Sequence, residues 1–237
     1  MAVADGPAFR HVLDLLGRAI VDGGIAPGAA DTVDAIAERT RVSRTAVREA
    51  TRVLVSLGML TAGRRVGLRI RPREDWDLLD PQVIRWRLES AQRTAQLDEL
   101  RGLRLAVEPE AARLAAAART ARQASALATA ADDLERATRD RDPVAFLAAD
   151  RRFHAEILAA AGNPMLTRLR DVIDEALRES TPQLAARWRA APEDVGLHRA
   201  VAVGVADRDG AAAAAAMRRI LAGGPGRRPG AAPIMAG

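Results

Sequence analysis

The side chains best suited to chemistry in this chain are one aspartate and two histidines in its second half. Asp150 and His154 are four residues apart in a segment with helical periodicity, so they share one helix face about one turn apart. A carboxylate and an imidazole placed in this way can chelate one divalent cation, and His198, from a later helix, could complete the set. The alternative is structural: the Asp150–His154 pair forms a hydrogen bond, and His198 is a core histidine with a satisfied ring.

A second chemical feature is the concentration of arginine in residues 39–73. This segment holds ten arginines and one acid, Glu49, whereas residues 1–38 carry a net charge of −4 and residues 74–237 hold 24 arginines and 24 acids. All 36 basic residues of the chain are arginine. A charge step this local predicts a surface that faces a polyanion, with nucleic acid as the first candidate. The alternative is a solvated charged face.

Composition excludes several other classes of protein. The chain has 237 residues and no cysteine, so disulfide scaffolds, thiolate catalysis and zinc–thiolate sites are ruled out. Only 3% of the residues are aromatic, which argues against a stacking platform for single-stranded nucleic acid. We find neither an apolar run of the ~18 residues that a membrane span needs nor a signal peptide. These observations predict a cytoplasmic protein of one large or two smaller domains, with no membrane partner.

The first 73 residues have the pattern of a winged helix-turn-helix. Apolar spacing predicts helices over about 9–22, 31–39 and 44–57, followed by two short strands at 59–62 and 66–70. Ser43 is suited to cap the third helix, and Gly58 is placed to end it. In such a fold the N-terminal end of the third helix enters the major groove, where arginine can contact guanine in a bidentate manner. The residues expected there are Ser43, Arg44, Thr45 and Arg48, with Arg64 and Arg65 at the wing tip reaching phosphates or a minor groove.

Two structural alternatives apply to these arginines. Arg48 could form a salt bridge with Glu49 or remain a solvated helix position. Arg64 and Arg65 could belong to an ordinary flexible basic turn.

The remainder of the chain is almost entirely helical in pattern. Residues 74–94 are interpreted as a linker and first helix, residues 95–222 as an all-α domain, and the Gly/Pro-rich residues 223–237 as a disordered tail. Within the all-α domain, Gly162 is expected to end one helix, with Asn163 capping the next and Pro164 in its first turn. The predicted helices cover about 81–91, 95–119, 122–140, 143–161, 164–180, 192–208 and 210–222, a bundle of six or seven helices.

Residues 8–72 resemble the DNA-binding domain of GntR-family transcription regulators. VSRTAVREA (42–50) is similar to the VSRTPVREAL-like recognition helix of that family. The resemblance implies DNA contacts from Ser43, Arg44, Thr45, Arg48 and the wing around Gly67. One departure is at the second helix, where Asp34 lies near the position of a DNA-contacting arginine of the family. The resemblance therefore implies that this contact is absent.

The second half resembles the FCD effector domain of the FadR-like branch of that family, over segments 97–116, 150–166 and 197–221. More narrowly, residues 76–89 resemble the linker of sugar-acid regulators such as those of galactonate operons. Metal-binding FCD domains hold a divalent ion with one aspartate and three histidines. The resemblance implies that Asp150, His154 and His198 supply three ligands for an ion of the Zn, Ni or Mn type, and that Ile220 replaces the fourth.

The resemblance also implies a site for a small carboxylate effector. Arg101 matches a family arginine that points into the effector cavity, and Arg104 is its companion; a guanidinium fork suits a carboxylate. Alternatively, Arg101 forms an ion pair with Glu99 or Glu108.

We therefore expect a mainly α protein, with a winged helix-turn-helix domain followed by an all-α FCD bundle. Its expected function is transcriptional regulation, as a repressor and homodimer on double-stranded operator DNA that responds to a sugar acid or similar metabolite. A second hypothesis is a metal-dependent hydrolase that uses Asp150, His154 and His198.

Overall fold

The computed structural model describes residues 6–63, 67–178 and 191–223. The chain forms two compact units, residues 1–96 and 97–237, each with its own apolar core. The mainly α fold class is confirmed. No helix in the described ranges is long and apolar enough to cross a membrane.

The first unit has the predicted winged helix-turn-helix architecture, with one more strand than expected. Its elements are α1 (Pro7–Val21), β1 (Ala30–Asp31), α2 (Val33–Thr40), α3 (Arg44–Ser56), β2 (Leu60–Gly63) and β3 (Gly67–Ile70). The strands are antiparallel in the order β1-β3-β2, with Asp31 opposite Leu68 and Gly63 opposite Gly67. Both predicted wing strands are present, as β2 and β3, and the structure adds β1. The sequence did not indicate β1 because two residues are too few to show a strand periodicity.

Local signals place the third helix, α3, where the sequence predicted it. The Ser43 hydroxyl accepts a hydrogen bond from the Ala46 amide at 3.2 Å, which caps α3. Thr32 caps α2 in the same way, through the Ala35 amide at 3.1 Å. The turn between the two helices passes through Arg41 in the left-handed region, with φ of 56°. Gly58, with φ of 72°, ends α3, as a glycine after a helix commonly does.

A fourth helix, α4 (Pro81–Leu88), lies in the segment interpreted as a linker and first helix, and it packs on the first unit. Trp86 of α4 belongs to the apolar core of the first unit and is 1% exposed. Its indole N–H donates to Asp14 of α1 at 3.0 Å. The Trp86 ring lies against Gly17 of α1: a Cβ added to Gly17 would be 2.5 Å from ring carbons. A short 3₁₀ turn, Arg73–Asp75, precedes this helix.

The second unit is all helical in the described residues. Its elements are α5 (Arg93–Ala118), α6 (Ala121–Asp140), α7 (Pro143–Ala160), α8 (Pro164–Arg168), α9 (Arg170–Arg178), α10 (Ala191–Ala206) and α11 (Gly210–Gly223), where α5 begins just before the unit boundary. Alanines such as Ala111, Ala149 and Ala213 are fully buried, and their small side chains allow the helices to approach closely.

The predicted stop at 162–164 is confirmed, but the helix that follows is shorter than expected. Gly162 has φ of +68°, and the Asn163 side chain accepts from the Met165 amide at 2.9 Å. The single helix predicted over 164–180 is wrong: it breaks at Leu169, whose amide donates to Leu166 at 3.0 Å and closes the turn early. Residues 179–180 and the predicted tail lie outside the described residues.

We expect Gly17→Ala to destabilise the first unit by about 1–3 kcal/mol, because the added methyl group would overlap the buried Trp86 indole. Gly102→Ala is the matched control: it lies inside α5 with nothing within 4 Å of the new Cβ, so helix propensity predicts a gain of about 0.5–1 kcal/mol. Urea unfolding followed by circular dichroism measures both. Equal stability of the Gly17→Ala variant and the wild type would contradict this packing.

Candidate functional site

The N-terminal end of α3 presents the polar side chains that the sequence analysis selected. Ser43, Arg44, Thr45 and Arg48 are all exposed. The opposite face of the helix is buried in the core of the first unit through Val47, Ala50, Thr51 and Leu54. The helix is therefore anchored along one face and leaves the polar side chains of its first turns exposed.

Within the described ranges, some arginines of α3 form ion pairs with nearby acids, and Arg48 does not. Arg44 pairs with Asp34 of α2 at 2.8 Å, and Glu49 pairs with Arg52. The alternative that Glu49 pairs with Arg48 is not what the structure shows: Arg48 has no side-chain partner among the described residues. Its guanidinium is available to an external partner.

The predicted wing residues fall partly outside the described ranges. Arg64 and Arg65 lie in the gap at 64–66, so the structure places neither. Gly67 begins β3 with φ of +68°, and a Cβ there would lie 2.6 Å from the Asp31 carbonyl oxygen. The pairing of β1 with β3 thus requires glycine at this position, apart from any contact with DNA.

The second candidate site is a buried charge cluster in the helical unit. Helix α7 supplies Asp150 and His154, and α10 supplies His198. The three residues are 7%, 1% and 2% exposed, respectively. Their ligand atoms all lie within 4.8 Å of one another, so the structure brings together the three residues predicted to bind a metal.

Helix α5 contributes two further members of the cluster, Arg104 and Glu108. Arg104 Nε donates to Glu108 Oε1 at 2.5 Å, and Glu108 is fully buried. The other Glu108 oxygen accepts from His154 Nδ1, because an ionised carboxylate can only accept. His154 Nε2 then faces Asp150 Oδ1 at 3.5 Å and Arg104 Nη2 at 3.3 Å. His198 Nε2 lies 3.1 Å from the same Asp150 oxygen.

The charges of the cluster shift one another's protonation. Burial alone would raise the pKa of Glu108, but the positive charges of Arg104 and His154 overcome burial and lower that pKa to about 2. Burial would lower the pKa of His154, and the Glu108 carboxylate reverses this, raising it to about 9. Hydrogen bonds from His154 and His198 hold the pKa of Asp150 well below its usual range against the effect of burial. Both carboxylates are therefore anionic at neutral pH.

The cluster has the chemistry of a three-ligand metal site. Oxygen and imidazole nitrogen donors suit zinc, nickel and manganese. The Glu108 contact to Nδ1 is the arrangement in which a carboxylate orients a metal-binding histidine. Arg104 Nη2 lies close to the Nε2 atom that a metal would use, so the guanidinium would have to withdraw for an ion to bind. Ile220, which the sequence analysis placed at the position of the fourth ligand, is 7% exposed and belongs to the apolar core.

The structure separates the two arginines expected at the effector site. Arg104 is part of the cluster, with 14% of its side chain exposed. Arg101 instead donates to the Ala222 carbonyl at 3.3 Å, at the end of α11.

Sequence reasoning considered Glu108 only as an ion-pair partner of Arg101. A signal for its role was present: Glu108 is an acid on the stripe that continues through Ala111, Ala112 and Ala115, all fully buried. An acid in such a stripe needs charged partners.

Comparison with protein families identifies both halves of the chain. The model of bacterial regulatory proteins of the gntR family matches residues 9–70. The FCD domain model matches residues 99–223. The two matches coincide with the unit that presents α3 and with the unit that holds the charge cluster.

Individual relatives agree with this assignment. The galactonate operon transcriptional repressor of Escherichia coli K12 is 29% identical over 214 residues, covering 90% of this chain and 93% of the relative. An uncharacterised HTH-type transcriptional regulator, YieP, of the same organism is 27% identical over 199 residues, covering 84% of each chain. A solved structure of McbR/YncC from E. coli has 18% identity and a TM-score of 0.52, covering 92% of this chain and 95% of that one; it is similar in fold.

The pKa of His154 predicts how the stability of the metal-free protein depends on pH. Because the pKa is raised from 6.5 to about 9 on folding, the stabilisation is complete below pH 6.5 and is lost as the pH rises through 9. We expect the melting temperature of the chelator-treated protein to fall across this window.

The fall should be smaller in His154→Gln, which cannot take up a proton. The control is His11→Gln, which removes an exposed histidine and should keep the wild-type profile. Identical profiles for His154→Gln and the wild type, measured by thermal melts at matched ionic strength, would rule out this coupling.

Proposed function

Because the chain belongs to the gntR family of bacterial regulatory proteins and carries an FCD domain, we propose that it represses transcription and releases its operator when a small carboxylate binds the FCD domain. The family makes the chain a DNA-binding transcriptional regulator and not an enzyme. The hydrolase alternative considered from the sequence is therefore set aside.

The similarity to a named repressor supports the sign of regulation and the effector class. The E. coli relative represses a galactonate operon by name, and the match covers nearly all of both chains. The segment 76–89 had already indicated a sugar-acid regulator. We propose that this chain is likewise a repressor, acts in the cytoplasm and takes a sugar acid or a similar hydroxy acid as effector.

The observation that supports a carboxylate effector best is the placement of Arg104 against the three candidate ligands. Metal binding requires neutral histidines; Arg104, Glu108 and Asp150 then leave the buried cluster with one negative charge. A divalent cation changes this to one positive charge, and a monocarboxylate restores neutrality. A buried site strongly favours such a balance. We propose that Asp150, His154 and His198 hold the ion, that Arg104 binds the effector carboxylate, and that Arg101 contributes from further along α5.

DNA binding is assigned to the exposed end of α3. Ser43, Arg44, Thr45 and Arg48 are proposed to contact the major groove, and the wing with Arg64, Arg65 and Gly67 the flanking backbone. We further propose a homodimer on a near-palindromic operator, which is the arrangement in which two such helices read two half-sites.

Arg48→Ala tests the recognition helix. A bidentate contact to a base contributes about 1–3 kcal/mol of discrimination, so gel shifts with the region upstream of the chain's own gene should show a loss of binding of that size. Arg18→Ala removes an equal charge from α1, where Arg18 pairs with Glu89, and should bind as the wild type does. Equal binding by the Arg48→Ala and wild-type proteins would overturn the assignment.

A thermal-shift screen tests the effector site. With Zn²⁺, Ni²⁺ or Mn²⁺ present, a sugar acid should raise the melting temperature, since a ligand bound only by the folded state stabilises it. A chelator should abolish this shift. Arg104→Gln should lose most of the response, and Arg101→Gln should keep more of it because Arg101 lies at the α11 end. Absence of a shift with every carboxylate and with chelator would count against both metal and effector.

A further inference from the structure

We propose that Asp34 limits the affinity of this protein for DNA, by holding Arg44 in an ion pair that must open before Arg44 can contact a duplex. The inference rests on the DNA-binding role of α3 and adds a residue that acts against binding. Asp34 would thereby tune how strongly the protein adheres to DNA of any sequence.

The geometry couples the two helices of the helix-turn-helix at their N-terminal ends. Asp34 is the second residue of α2 and Arg44 is the first residue of α3. Arg44 Nε donates to Asp34 Oδ1 at 2.8 Å, and the two side chains are 70% and 68% exposed. The pair therefore lies on the accessible surface, and its opening requires no change in the core.

The position of Asp34 also suits a carboxylate for a local reason. It lies in the first turn of α2, where the helix dipole stabilises a negative charge. The Thr32 side chain already caps this helix. Asp34 is therefore not needed as the cap, and its removal should leave α2 in place.

Opening the pair has two consequences for affinity. The Arg44–Asp34 attraction is lost on binding, and the carboxylate that remains faces the phosphates of the duplex. For an exposed pair the first effect is small, and the second adds to it at low salt. Together they predict that wild-type binding is about three- to tenfold weaker than it would be without the Asp34 charge.

The same pattern recurs around this surface. Arg39 of α2 donates to Asp31 of β1 at 2.7 Å, and Arg52 of α3 pairs with Glu49. Acids thus reduce the positive charge of residues 39–73 locally. Since non-specific binding is almost wholly electrostatic, Asp34 should weaken adhesion to unrelated DNA at least as much as operator binding.

The test measures fluorescence anisotropy of the full chain with two labelled duplexes, one from upstream of its own gene and one of unrelated sequence. Asp34→Asn should bind the unrelated duplex about three- to tenfold more tightly than the wild type at low salt. The gain should shrink as salt is raised. The matched control is Asp22→Asn, which makes the same change in net charge at an exposed residue at the end of α1 and should leave affinity unchanged.

A double-mutant cycle separates the ion pair from simple repulsion. If Asp34 acts through Arg44, the Asp34→Asn gain should be smaller in an Arg44→Ala background, where only the repulsion between the Asp34 carboxylate and the phosphates remains. An equal gain in both backgrounds, or no gain in either, would overturn the proposal.

Failure of the DNA-binding role itself would look different. In that case neither duplex would bind the wild type, and Arg48→Ala would change nothing. Circular dichroism melts of each variant confirm that the helices are intact.

Discussion

Charge balance in the buried cluster is the constraint on which the packing of the helical unit depends. Arg104, Glu108, Asp150 and His154 are placed in an apolar core built largely from alanine, where an unpaired charge would be very costly. Each is held by a partner on another turn or another helix, so α5, α7 and α10 are fixed relative to one another by electrostatics as well as by packing. Removal of any one member leaves the others uncompensated.

The same cluster is what makes the unit suited to sense a ligand. Glu108 fixes the orientation of His154 by accepting from Nδ1, and Arg104 occupies the approach to Nε2. A divalent ion and an anion together would change the partners of each of these side chains. A ligand shifts a conformational equilibrium only through a difference in its affinity for the two states, and a cluster that exchanges its partners on binding is a direct source of such a difference.

Sequence reasoning succeeded where signals are local. Ser43 and Asn163 correctly predicted helix starts, and Gly58 and Gly162 correctly predicted helix ends, because capping depends on a few adjacent residues. It did not find β1, whose two residues pair only through a distant strand.

It also favoured Arg101 over Arg104 for the effector site. Residues three apart on a helix differ by roughly 60° in direction, and only the contacts of α5 with other helices decide which one faces the cluster. Asp34 was recognised as a departure from the family, but its pairing with Arg44 is a tertiary contact that no spacing rule predicts.

The packing of α4 has a consequence for how the chain can be divided. Val83 and Trp86 complete the core of the first unit together with residues of α1, and Asp14 is bonded to both Gln82 and Trp86. A cut after the wing would expose this apolar surface on both fragments. The segment suited for grafting onto a foreign sensor domain is therefore residues 1–96. A chimera joined after this segment would keep Val83 and Trp86 buried in the core of the first unit.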